Sequence, residues 1–135
     1  MRASATFKVI TFEPAPLETA SEITTNLPLG VATMEKAYNG DVVGRSTTVF
    51  TSVFDQGAGV GTYVAMESFD GALNGASGSF NFVHSATTAG DDRADEFFLI
   101  VSSSGTGELS GISGGGGIAI DADGTHRVWF DYDLG

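Results

Sequence analysis

The sequence predicts an all-β fold, an antiparallel eight-stranded β-barrel, on three observations. Segments that alternate apolar with polar residues, rich in Phe, Val, Ile and Thr, recur along the chain. Glycine supplies 19 of the 135 residues, about double its usual share of roughly 7%. The pattern G-x-[VL]-x-G-x-S occurs three times, over Gly40–Ser46, Gly71–Ser77 and Gly107–Ser113. Its copies begin at positions 40, 71 and 107, so they are 31 and 36 residues apart. That interval holds two strands of about ten residues with their turns, so the motif reads as a corner recurring once per hairpin. Recurring glycine corners are what a sheet needs to curl on itself.

The first strand is expected over Ala5–Glu13, which alternates until Pro14 and Pro16 stop it. The polar segment Ala15–Thr25 reads as a loop. Val31–Tyr38 is the second strand, with Asn39-Gly40 as its turn. The third runs from the first corner through Asp41–Phe54, and the loop Asp55–Gly59 follows. Val60–Phe69 is the fourth strand, Gly71–Gly78 the second corner and Ser79–Thr87 the fifth strand. After the polar turn Ala89–Asp92 comes the sixth strand, Ala94–Ser102. Its continuous run Phe97-Phe98-Leu99-Ile100-Val101 calls for apolar contact on both faces. Beyond the third corner, Ile118–Asp121 is the seventh strand, Asp123-Gly124 a hairpin turn and Thr125–Leu134 the eighth. Short turns imply up-and-down order, and eight strands close a barrel just filled by side chains or holding one small ligand. A single domain spanning 1–135 is expected.

Composition narrows the function. The formal net charge is −11 with only six Lys and Arg. A nucleic-acid grip needs a basic patch, and the same shortage disfavours anionic membranes. With no cysteine, disulfides, thiol chemistry and Cys-rich zinc sites are excluded. Two histidines without supporting spacing make no metal site, and no phosphate-binding loop or nucleophile elbow is present. No metal and no cofactor are expected. The N-terminus lacks a continuous apolar segment, so a cytoplasmic protein is expected.

Strand parity selects the candidate site. Side chains two apart share a face, so His84 goes with Phe80 and Phe82, and Glu67 with Tyr63, Ala65 and Phe69. If those aromatics point inward, Glu67 and His84 face each other across neighbouring strands. A carboxylate beside an imidazole in an apolar interior is either an acid–base pair or a mutually satisfied buried contact. A bulge between the strands would reverse the parity. Glu108, in the third corner, is either a ligand carboxylate or a cap on turn N–H groups. Arg45 reads as a rim ion-pair partner. Trp129 reads as packing against the barrel or an interface. Asp121-Ala122-Asp123-Gly124 lacks the further ligands of a calcium loop and reads as a hairpin.

GSFNFVHSATT (78–88), SSGTGELSGISGGGG (103–117) and the terminal FDYDL (130–134) together resemble a family of uncharacterised bacterial proteins grouped with the allene oxide cyclase-like barrels. The resemblance runs from Ala5 to Leu134 and implies an antiparallel eight-stranded barrel that self-associates. It implies no activity and carries over no catalytic residue. The function expected is a small barrel binding a hydrophobic or amphipathic small molecule in its interior, with Tyr63, Glu67, Phe80, Phe82, His84 and Glu108 as candidate ligand residues. The alternatives are an isomerase or cyclase using Glu67 and His84, and a packed oligomeric module without ligand. A homo-oligomer, dimer or trimer, is expected in any case.

Overall fold

The computed structural model describes residues 1–135. Eight strands form one sheet: β1 (Arg2–Ala15), β2 (Leu29–Gly40), β3 (Val42–Asp55), β4 (Val60–Leu73), β5 (Ala76–Ala89), β6 (Asp92–Ile100), β7 (Ser113–Ile120) and β8 (His126–Asp133). Each pairs antiparallel with its neighbour in sequence, and β8 returns to β1, so the sheet closes in a ring. Up-and-down order follows from the short connections. The longest, between β1 and β2, holds Pro16 and Pro28 and stays irregular, as expected of its polar sequence. No helix is long and apolar enough to cross a membrane.

All eight expected strands are present, most of them longer than their alternation alone indicates. The second corner is mostly strand: Gly71 pairs with Gly78 and Leu73 with Ala76, leaving Asn74-Gly75 as a two-residue turn. Both turn residues have positive φ, 48° and 84°. That is the mirror-image turn that suits the twist of a hairpin. The third corner is divided. Gly107–Leu109 forms a single 3-10 turn, whereas Ser113–Gly117 belongs to β7. Four consecutive glycines conceal that strand from any alternation pattern.

The glycines of the first two motif copies meet. Gly44 lies opposite Gly71 on β4, which lies opposite Gly78 on β5. A Cβ on Gly71 would run into the Val43 carbonyl, and one on Gly78 into that of Thr106. The three form a crease across three strands, and the β6–β7 connection lies down in it. That connection hydrogen-bonds along β5 (Val101 N–H to Asn81 O, Thr106 N–H to Ser79 O) and buries Leu109 and Ile112. It closes one end of the ring.

The interior divides into two parts. Toward the closed end, Phe7, Phe69, Phe80, Phe82, Phe130, Val42, Leu73, Ile100, Leu109 and Ile112 belong to one apolar cluster of buried residues. Toward the other end a smaller group, Tyr63, Ala65 and Ala86 with Phe50 against it, is separate. Buried polar side chains are Lys36, Ser46, Thr48, Glu67 and His84.

Candidate functional site

The site begins with five polar residues, Lys36, Ser46, Thr48, Glu67 and His84, that break the apolar code of their strands. On β2 the inward positions read Ala32, Met34, Lys36, Tyr38; on β3 they include Ser46, Thr48 and Phe50; on β4, Tyr63, Ala65, Glu67 and Phe69. Directly opposed residues of an antiparallel ladder share a face. Lys36 is opposite Ser46, and Thr48 opposite Glu67. Glu67 is opposite Phe82 and His84 opposite Ala65, so Glu67 and His84 are diagonal neighbours, not direct partners. Both point inward and touch.

Glu67, 1% exposed, is the hub. Its Oε2 accepts from Lys36 Nζ at 2.7 Å and from His84 Nε2. Its Oε1 accepts from the Ser46 hydroxyl at 2.7 Å, with the Tyr38 hydroxyl 3.2 Å away and 2.8 Å from Ser46. Burial alone would raise this carboxyl, but the His84 hydrogen bond and the Lys36 charge outweigh it and hold the pKa down to about 2. A carboxylate can only accept, so the His84 proton is on Nε2. Burial lowers the His84 pKa, with Glu67 opposing and the Lys36 and Arg93 charges adding to it, so the ring is neutral. Its Nδ1 then accepts from the Tyr63 hydroxyl at 2.8 Å, which in turn accepts from Arg93 Nη2 at 2.7 Å. The donors run in one direction: Arg93 to Tyr63 to His84 to Glu67. Burial raises the Tyr63 pKa, against the pull of Arg93, and burial raises that of Tyr38 further, helped by the Glu67 charge.

Aromatic rings hold the imidazole in place. Phe82 and Phe98 stack on His84 at 5.8 and 5.7 Å between centroids, and Phe50 stacks on Tyr63 at 5.2 Å. One polar group is left out: Thr48 Oγ1 is buried and has no hydrogen-bond partner.

Above this layer the ring opens. β1 pairs with β8 only over Arg2–Phe7, so its second half, past a bulge at Ile10, is held by β2 alone. There Val9 is opposite Lys36 and Phe12 opposite Met34, which puts both on the inner face. They are nevertheless 43% and 55% exposed. Phe12 meets the edge of Phe50 at 6.1 Å.

Of the residues singled out in the sequence, Tyr63, Glu67 and His84 come together. Phe80 and Phe82, also expected to meet a ligand, lie in the apolar core: they are 2% and 1% exposed and pack on Phe69, Phe98 and Phe130. Glu108 lies apart on the surface, where its carboxylate accepts the Ser77 N–H at 3.2 Å. Trp129 packs outside the ring over Gly117, with Arg2 above it. Arg45 is exposed, and Arg127 pairs with Asp121 at the hairpin between β7 and β8. Lys36, Tyr38, Ser46 and Arg93 were not anticipated. The first three carry a sequence signal, a Lys and hydroxyls at inward parity. Arg93 does not, because a register shift between Ser85 and Thr87 hides its face.

The fold and site define a class: a ring-closed, eight-stranded antiparallel sheet with a buried carboxylate network and one apolar open end. The chain belongs to the protein family of unknown function DUF3224, whose model matches residues 3–132. It is similar to a crystal structure of a DUF3224 protein of unknown function from Shewanella oneidensis MR-1. The identity is 26%, the TM-score 0.82, and the match covers 98% of this chain and 96% of that one. No curated protein matches the sequence.

Proposed function

We propose that this chain is an allene oxide cyclase-like β-barrel of the cytoplasm that binds a hydrophobic or amphipathic small molecule at its open end. The observation that carries this reading is the pair Val9 and Phe12, on the inner face yet largely uncovered, above a buried polar layer with an unpartnered Thr48 hydroxyl. Apolar walls with a few convergent polar groups are the usual make-up of a small-molecule site. The ligand occupies the open half only, since the Phe cluster fills the other. Native mass spectrometry of the purified protein, followed by denaturing release, tests this. A bound small mass, reduced in Phe12→Asp, is the expected result. Protein at the bare sequence mass that also fails to bind an apolar dye would end the reading.

The acid–base alternative, Glu67 with His84, is supported by their contact and weakened by their occupancy. Four side chains surround the Glu67 oxygens and both imidazole nitrogens have partners. A general base needs a free lone pair within reach of the substrate proton. The pair serves better as the polar floor of a binding site.

Self-association also belongs to this reading. Val49, Met66, Val83 and Leu99 form one outer row across β3–β6, and Thr51, Val64, Ser85 and Phe97 the next. No charged residue interrupts these two rows. A charge-free apolar patch on a chain of net charge −11 favours a second copy of the same surface.

A further inference from the structure

We infer that the ligand's polar end is an anion, a carboxylate or a group of like charge and acceptor geometry, received by Arg93 and the Thr48–Lys36 layer. This rests on the open-end reading and names the class of ligand. The argument is a count of donors against acceptors. Glu67 is the one buried carboxylate, and both of its oxygens are taken. The donors are not exhausted. Lys36 gives one hydrogen bond to Glu67 and otherwise lies 5.0 Å from the centre of the Phe7 ring. Arg93 uses Nε on Glu96 and Nη2 on Tyr63, leaving Nη1 free. The Thr48 hydroxyl has no partner.

Two of the chain's six basic side chains are therefore spent inside or at the rim of a strongly acidic protein. The Arg93 side chain is 11% exposed, whereas that of its partner Glu96 is 47% exposed. Water screens Glu96, so Arg93 is incompletely neutralised toward the interior. A cationic ligand would find no buried carboxylate with a free oxygen. A neutral apolar ligand would leave the Thr48 hydroxyl and Arg93 Nη1 without partners. An acceptor-rich anion with an apolar body satisfies both, resting its body on Phe12 and Phe50.

A matched pair of dyes tests this: 1-anilinonaphthalene-8-sulfonate and neutral N-phenyl-1-naphthylamine, which share one ring system and differ by the sulfonate. Both are titrated by fluorescence into the wild-type chain and into Arg93→Gln, Arg93→Lys and Phe12→Asp, with circular dichroism confirming the fold of each. The expected result is at least about tenfold tighter binding of the anionic dye, the scale of one charge-assisted hydrogen bond. Arg93→Gln removes that preference without weakening the neutral dye, and Arg93→Lys retains it. Equal or tighter binding of the neutral dye, or a preference indifferent to Arg93→Gln, overturns the anionic assignment. The open-end reading survives that outcome if Phe12→Asp weakens both dyes. If neither dye binds, or Phe12→Asp changes neither, both proposals fall.

Discussion

Glu67 keeps its charge in a place where an isolated carboxylate would be neutral. Its partners come from β2, β3 and β5, so three strands must be in register before the charge is tolerated. Removing one member of a buried ion pair leaves the other uncompensated, at a cost of about 3–5 kcal/mol. Glu67→Gln and Lys36→Met are each expected to destabilise the chain on that scale. The double substitution is expected to cost less than the sum by about 1–3 kcal/mol, because neither charge is then stranded. Urea unfolding of the four proteins measures this, and strict additivity would mean that the two groups act independently. The same site predicts an acid response. Glu67 has a folded pKa below its unfolded one, so its stabilisation is complete above about 4.5 and is lost as pH falls toward about 2. His84 is also lowered, so unfolding takes up a proton and stability drops as pH falls below about 6.5. The melting temperature is expected to decline below about 6.5 and again below about 4.5, with the lower step reduced in Glu67→Gln. A profile flat from pH 8 to 3 would remove both assignments.

At the level of strands, alternation made the inner faces of β4 and β5 readable, and with them Tyr63, Glu67 and His84. It failed where the backbone departs from a simple period of two. The bulge at Ile10 keeps Val9 inward but shifts the register beyond it, so that Phe12 is also inward. The shift after Ser85 does the same to Arg93. Each irregularity lies beside the open end, so the least legible part of the chain is the part that lines the mouth. The glycine motif was legible as a bend but not as a contact surface. Its role is the crease of Gly44, Gly71 and Gly78, where opposing backbones approach too closely for a side chain. Gly71→Ala is expected to cost about 1–3 kcal/mol through overpacking against the Val43 carbonyl. Gly75→Ala, at a turn position with nothing nearby, should cost less, through its positive φ alone. Thermal melts of the two rank them, and the reverse order would mean that the crease has slack.

The whole molecule shows two apolar surfaces to its surroundings, the open end and the outer rows of β3–β6. The continuous run of β6 predicted contact on both faces, and the ring supplies only one: Phe98 and Ile100 turn inward while Phe97 and Leu99 stay 53% and 44% exposed. If a second copy covers the outer rows, Leu99→Lys and Met66→Lys place a charge in the middle of the contact. Both should shift the mass measured by light scattering from oligomer to monomer, while ligand release from the open end persists. A wild-type monomer at micromolar concentration would contradict self-association.

The ring is completed by pairing β1 with β8, for example Arg2 with Asp131. During translation β8 is the last of the eight strands to leave the ribosome. Until then the nascent sheet has two raw borders, β1 on one side and the latest strand on the other, each able to zip onto a neighbouring chain. Joining segments so distant along the chain is also slow. Docking of β8 covers that border over Arg2–Phe7 and leaves the second half of β1 paired with β2 alone, so exposure to misassembly is greatest until β8 docks.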